Sequence, residues 1–167
     1  VNTPGANSMA AAEMTLALML AAGRNIPQAH ASLQAGEWQR GDFVGTQLYG
    51  KTLGIIGFDR VGKLVSERAK AFGMEVLVYD PVIMEETARD LGVLLVELDD
   101  LLSDSDFVTL HAALIPATTN LLNSESFARM KDGAILINAA RGKLLDEFAL
   151  AEALKSGKLA AAAVDVY

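Results

Sequence analysis

Residues Lys51-Thr52-Leu53-Gly54-Ile55-Ile56-Gly57-Phe58-Asp59-Arg60-Val61-Gly62 form an apolar run that ends in a glycine-punctuated turn and opens into helical periodicity. A strand passing through such a turn into a helix aims free backbone amides at one point, the arrangement that grips a dinucleotide pyrophosphate. Gly57 permits the sharp exit from the strand, and Gly62 lets the helix press against the sheet. Asp80 closes the next apolar run, Val76-Leu77-Val78-Tyr79, where a carboxylate about 20 residues on hydrogen-bonds the ribose hydroxyls of an adenosine. It also favours NAD over NADP, since a 2′-phosphate would meet it at close range. Because Asp80 precedes Pro81, ordinary turn chemistry is the plainer alternative for it.

This turn has a fault. Where G-x-G-x-x-G has its middle glycine, the chain has Asp59, which adds a β-carbon and a negative charge at the closest approach of backbone to phosphate. Two unit charges roughly 5 Å apart at an effective dielectric near 20 repel by about 3 kcal/mol, a loss of roughly a hundredfold in affinity. The positive end of the helix returns only ~0.3–1 kcal/mol, and Arg60 could offset more by pairing with either charge. The alternative reading makes Asp59 an N-cap whose carboxylate occupies the anion site itself.

A chain of 167 residues buries one good core and holds one domain with an appendage. Its apolar residues come in short runs, none near the roughly 18 needed to span a membrane, so we expect a soluble protein with no membrane partner. The net charge of −7 comes from scattered carboxylates without a basic cluster, which argues against a nucleic-acid partner. The absence of cysteine excludes disulfides and thiolate metal sites and fits a reducing cytoplasm. His30 and His111 are too far apart in sequence for a local metal motif, so no metal is expected. The start at Val1 and the apolar run Val164-Asp165-Val166-Tyr167 lead us to expect that both ends are cut.

Asn7 and Ser8 are placed to cap a helix through about Ala22, with Gly23 ending it, and Pro27 suits the first turn of a second helix stopped by Gly36. A glycine-rich loop from Gly36 to Gly50 carries Trp38 and Phe43, apolar surface that wants a neighbour. From Thr52 onward the pattern predicts strands near 52–56, 75–79, 93–96, 107–110, 134–138 and 159–164. Helices are predicted near 61–71, 84–91, 99–103, 124–130 and 146–156. Alternation of this kind implies an α/β fold, a doubly wound, three-layer αβα sandwich on a parallel six-stranded sheet. Continuous apolar runs such as Ile135-Leu136-Ile137 suit strands buried on both faces. Residues 1–50 are expected to be a helical arm and loop that belongs to the cofactor domain and makes a two-fold dimer contact, and 51–167 the NAD-binding Rossmann domain, truncated at its C-terminal end.

Further motifs follow in order: Asn2-Thr3-Pro4-Gly5 with Ala10-Ala11-Ala12-Glu13, Ala22-Gly23-Arg24-Asn25-Ile26-Pro27-Gln28, and Gly50 through Gly57. Then come His111 with Pro116-Ala117-Thr118-Thr119, Met130-Lys131-Asp132-Gly133-Ala134, and Asn138-Ala139-Ala140-Arg141-Gly142 before Asp146-Glu147. Over nearly its whole length the chain thus resembles the cofactor-binding half of the D-isomer-specific 2-hydroxyacid dehydrogenases. The resemblance implies that Arg60 and Val61 contact the pyrophosphate and that Asp80 holds the ribose. It implies further that Ala112, Thr118, Ala139 and Ala140 line the cleft and that Asp165 lies beside the nicotinamide. Arg141 would anchor the substrate and is the one catalytic candidate, since a guanidinium can bind the carboxylate and 2-oxygen of a hydroxy acid bidentately. Without the resemblance, Arg141 still follows a buried strand, at the sheet edge where such folds bind ligands.

Two departures from the family pattern stand out. Ala112 and Ala113 replace the threonine or proline usual after the fourth-strand histidine, and the family's catalytic histidine and its glutamate follow the position of Tyr167. His111 resembles the family's cleft-lining histidine instead. Hydride transfer needs a group of near-neutral pKa to exchange the alcohol proton, so this chain is expected to bind NAD but hardly turn over. The resemblance implies a parent enzyme moving hydride between NAD and a D-2-hydroxy acid, with 3-phosphoglycerate favoured. The rival is a non-enzymatic NAD-sensing or corepressor-like module of the same fold.

Overall fold

The computed structural model describes residues 7–39 and 41–167; Asn2-Thr3-Pro4-Gly5 lies outside them. The expected strands form as β1 (Thr52–Ile56), β2 (Glu75–Tyr79), β3 (Leu94–Leu95), β4 (Phe107–Leu110), β5 (Ala134–Asn138) and β6 (Leu159–Val164). They make one sheet in the order β3-β2-β1-β4-β5-β6, every pair parallel. The strand expected at 93–96 is the shortest because it lies at an edge and pairs only through Leu77↔Leu94 and Val78↔Leu95.

Seven α-helices are described: α1 (Ser8–Gly23), α2 (Ile26–Gln34), α3 (Arg60–Ala71), α4 (Glu85–Asp90), α5 (Leu98–Asp104), α6 (Ser124–Arg129) and α7 (Glu147–Lys155). Neighbouring strand residues point to opposite faces, so each continuous apolar run feeds two cores at once. Leu53, Ile55, Val76, Val78, Phe107, Ile135 and Ile137 pack on one face, with Val65 and Ala69 of α3. Leu77, Val108, Leu110 and Leu136 pack on the other with Leu101, Leu102, Phe127 and Met130. None of the described helices is long and apolar enough to cross a membrane.

The N-terminal segment divides. Helix α1 lies against α3, β5 and β6 and buries Ala12, Leu16 and Met19 in the first core, so it is a full member of the sandwich. Helix α2 buries no residue, and Trp38 on the loop after it is 79% exposed. One expectation about the ends of α1 needs correction. Asn7 stands at the cap position, but its backbone is already near-helical and its side chain makes no cap bond; its carbonyl accepts from Ala11 N at 3.0 Å. Helix α1 ends at Gly23 as expected; the left-handed residue that turns the chain away is Asn25, at φ 53°, and the following loop returns to Gly23, Thr46 N donating to Gly23 O at 2.6 Å.

Candidate cofactor site

The register aligns the carboxyl ends of the central strands, with Ile56 opposite both Tyr79 and Leu110, and Leu110 opposite Asn138. The next residue of each strand therefore stands on a common rim: Gly57, Asp80, His111 and Ala139. Strand β1 has β2 on one side and β4 on the other, so the connections diverge there and leave a crevice, the place where open α/β sheets bind ligands. A cleft of about 850 Å³ opens at this point.

Gly57 sits at φ 90°, and a β-carbon on it would come within 2.6 Å of Ala112 Cα and 2.7 Å of the His111 carbonyl carbon. A β-carbon on Gly62 would lie 2.6 Å from Gly57 O. Both glycines thus serve the close approach read from the sequence, and the N-terminus of α3 is drawn onto the end of β1. Asp59 caps that helix: its Oδ1 accepts from Val61 N at 2.9 Å and from Gly62 N at 3.2 Å. The cap alternative for Asp59 is the geometry observed. Arg60 is exposed and takes no part in the ion pairs among the described residues.

Asp80 uses both oxygens. Oδ2 accepts from Phe58 N at 2.7 Å and ties β2 to the glycine turn, while Oδ1 accepts from Val82 N at 2.9 Å in the turn around Pro81. Each oxygen keeps a second lone pair for a ligand hydroxyl.

The opposite wall is held by neutral groups. Thr118 Oγ1 accepts from Ile115 N at 2.9 Å and donates to Ala113 O at 2.7 Å, closing the turn that carries Ala112 and Ala113 past the cleft. Asn138, fully buried at the end of β5, accepts from Ala140 N at 3.0 Å and donates to Arg141 O at 2.9 Å. The guanidinium of Arg141 stays exposed, its Nη1 donating to Ala140 O at 2.7 Å. Of the residues singled out from sequence, Gly57, Val61, Asp80, Ala112, Thr118, Ala139, Ala140 and Arg141 line the cleft. Arg60, Gly62 and Asp165 are not part of its lining. Asp165 N donates to Asn138 O at 3.0 Å, one strand further along the rim.

His111 is 7% exposed, with Nε2 3.1 Å from Thr109 Oγ1. Burial pushes its pKa down to about 4, while Asp59 pulls weakly the other way, so the ring is neutral at neutral pH. Sequence reasoning passed over Asn138 as a positioning residue, and over Asn7, Ser8 and Ala11, which bring the start of α1 to the cleft. A strand-terminal asparagine before a short turn was the available signal for the first. Nothing local marked the second. Among the described residues no group of three or more histidines and carboxylates is placed to hold a metal ion.

Residues 16–167 match the family described as D-isomer specific 2-hydroxyacid dehydrogenase, NAD binding domain. Over 168 residues, 100% of the chain, it is 55% identical to a D-3-phosphoglycerate dehydrogenase of Methanocaldococcus jannaschii, of which it covers 32%. It is 47% identical over 167 residues, again 100% of the chain, to the rat protein of the same name, of which it covers 31%. The structure is similar to the apo D-lactate dehydrogenase of Escherichia coli, with a TM-score of 0.93 at 36% identity, covering 100% of this chain and 52% of that one. Against D-lactate dehydrogenase with NAD+ from Lactobacillus jensenii the TM-score is 0.88 at 34% identity, covering 99% and 50%. The chain spans about a third of the length of these curated relatives and about half of these solved chains.

Proposed function

This chain belongs to the D-isomer specific 2-hydroxyacid dehydrogenase family as its NAD-binding domain, and from that premise we propose how its own residues serve the cofactor and the substrate. The observation that carries the reading is Asp80: a carboxylate at the end of β2, bonded to the glycine turn and lining the cleft. Its spare lone pairs would accept from the ribose hydroxyls of an adenosine, Gly57 and Gly62 would admit the dinucleotide to the helix end, and Val61 in the cleft lining, with Arg60 beside it in sequence, would serve the diphosphate. Ala112, Thr118, Ala139 and Ala140 wall the rest of the cleft, and Asp165 lies toward the nicotinamide. NAD, when bound, supplies the hydride acceptor. Arg141 holds the carboxylate and 2-oxygen of a D-2-hydroxy acid, and 3-phosphoglycerate is favoured because relatives matched over the whole chain carry that enzyme's name. The rival, a non-enzymatic interaction module, finds no support among these dehydrogenase relatives.

Neither histidine of this chain suits acid/base work at neutral pH. His111 is buried, neutral and committed to Thr109, and His30 is exposed on α2, with no part in the cleft lining. The chain by itself therefore binds cofactor without appreciable turnover. We further propose that residues 1–50 bridge two copies. Helix α2 buries nothing, and Leu33, Trp38 and Phe43 with their neighbours line a second cavity of about 520 Å³ on that side.

Titrating NADH and NADPH into the chain and into Asp80→Ala tests the cofactor reading. NADH is expected to saturate the chain and NADPH to bind at least tenfold more weakly. Asp80→Ala is expected to lose roughly ten- to a hundredfold for NADH, from charge-assisted hydrogen bonds worth ~1.5–3 kcal/mol. NADH and NADPH bound equally, with Asp80→Ala indifferent, would contradict it.

A further inference from the structure

We propose that Asp59 is a built-in competitor for the dinucleotide diphosphate and thereby the residue that sets cofactor affinity in this chain. The inference rests on the reading of the cleft as an NAD site. In the glycine turn four of the amides already have partners. Gly57 N donates to Tyr79 O at 2.9 Å, Phe58 N to Asp80 Oδ2 at 2.7 Å, and Val61 N and Gly62 N both to Asp59 Oδ1. Two of the first-turn amides that a helix start turns toward a phosphate thus hold an internal carboxylate instead. Asp59 itself lines the cleft, so an incoming diphosphate either displaces that carboxylate from both amides or sits beside it as a like charge.

Among the described residues no cation is paired with Asp59. Asp80 is a second carboxylate on the same turn, His111 is neutral, and Arg60 is exposed and outside the ion pairs among the described residues. The cap is well formed, with Asp59 at φ −75° and ψ −160°, extended values open to any residue. Its carbonyl also accepts the first helical bond from Lys63 N at 3.0 Å. The adenosine end of the cleft is untouched by this arrangement. The site therefore discriminates by phosphate charge: NAD and NADH are penalised and adenosine is not.

The test is calorimetric titration of NADH and, separately, of adenosine into the 167-residue chain, Asp59→Gly and Asp59→Asn, each checked for an unchanged far-UV spectrum. Asp59→Asn keeps a side-chain acceptor for the cap and removes only the charge, which covers the case in which Asp59→Gly does not fold. Expected is a gain of about a hundredfold for NADH in Asp59→Gly and at least tenfold in Asp59→Asn, with adenosine within twofold throughout. Equal NADH affinity in all three proteins overturns the role of Asp59 and leaves the cleft reading standing. A parallel gain for adenosine also overturns it, since the effect would then be one of shape. Absence of both ligands from every protein overturns the cleft reading and this inference with it.

Discussion

The two ends of the cleft are built by the same device with opposite electrical results. At the β5 end a buried neutral amide, Asn138, holds Ala140 N and Arg141 O and leaves a guanidinium exposed at the rim. At the β1 end two carboxylates, Asp80 and Asp59, hold the amides of Phe58, Val61 and Gly62. Each loop is fixed by a side chain that stands in for a missing backbone partner, as buried or turning backbone requires. A neutral staple leaves the rim free to attract an anion. An anionic staple suits hydroxyls and opposes phosphate. The end proposed to hold a carboxylate is therefore electrostatically matched to that task, and the end proposed to receive a diphosphate is only half matched.

The sharpest way to break this contrast is geometric. Gly57→Ala forces a β-carbon into the Ala112 backbone at a φ of 90°, and a loss of about 3 kcal/mol in urea unfolding is expected. A loss under about 0.5 kcal/mol would mean that the β1 end is not held by close approach. Asn138→Ala is the matching change at the other end. It removes both bonds, leaving the partly buried Ala140 amide without its partner and Arg141 O with only the 3.3 Å bond from Leu144 N, and should cost roughly 2–3 kcal/mol by the same measurement. An unchanged unfolding midpoint would remove Asn138 as the staple.

His111 lies between the two ends, and its effect is expected to be comparable at most, appearing only on acidification. Its pKa is lowered from 6.5 to about 4 by burial, so the unfolded chain takes up the proton first. Its contribution is fully present above pH 6.5, is lost as pH falls toward about 4, and amounts to on the order of 3 kcal/mol. His111→Gln should flatten the pH dependence of stability across that window. An unchanged slope would show that the ring is not buried neutral.

The strands were legible because runs such as Ile135-Leu136-Ile137 are apolar on both parities, and the glycine turn because Gly57, Gly62 and Asp80 occupy mechanically required positions. Helix α1 was harder to place. Met9 and Met14 make it apolar on sides away from the core as well, so no stripe told which face would dock or whether it would leave the sandwich. The one-turn helices Pro116–Thr118 and Gly142–Leu144 were missed because contacts distant in sequence help to fix them. Asn120 N bonds Lys143 O, and Leu122 bridges Leu145. The role of Asn138 was hidden for a related reason: its two partners become visible only once Ala139 to Arg141 curl back over the strand end.

The central claim is that the rim between β1 and β4 receives an extended dinucleotide. Amide chemical shifts of the chain titrated with millimolar NADH test it most directly. The amides of Phe58, Val82 and Ala140, from both ends of the cleft, are expected to move together along one saturating curve. No movement, or movement confined to the cavity around Leu33 and Trp38, would contradict it.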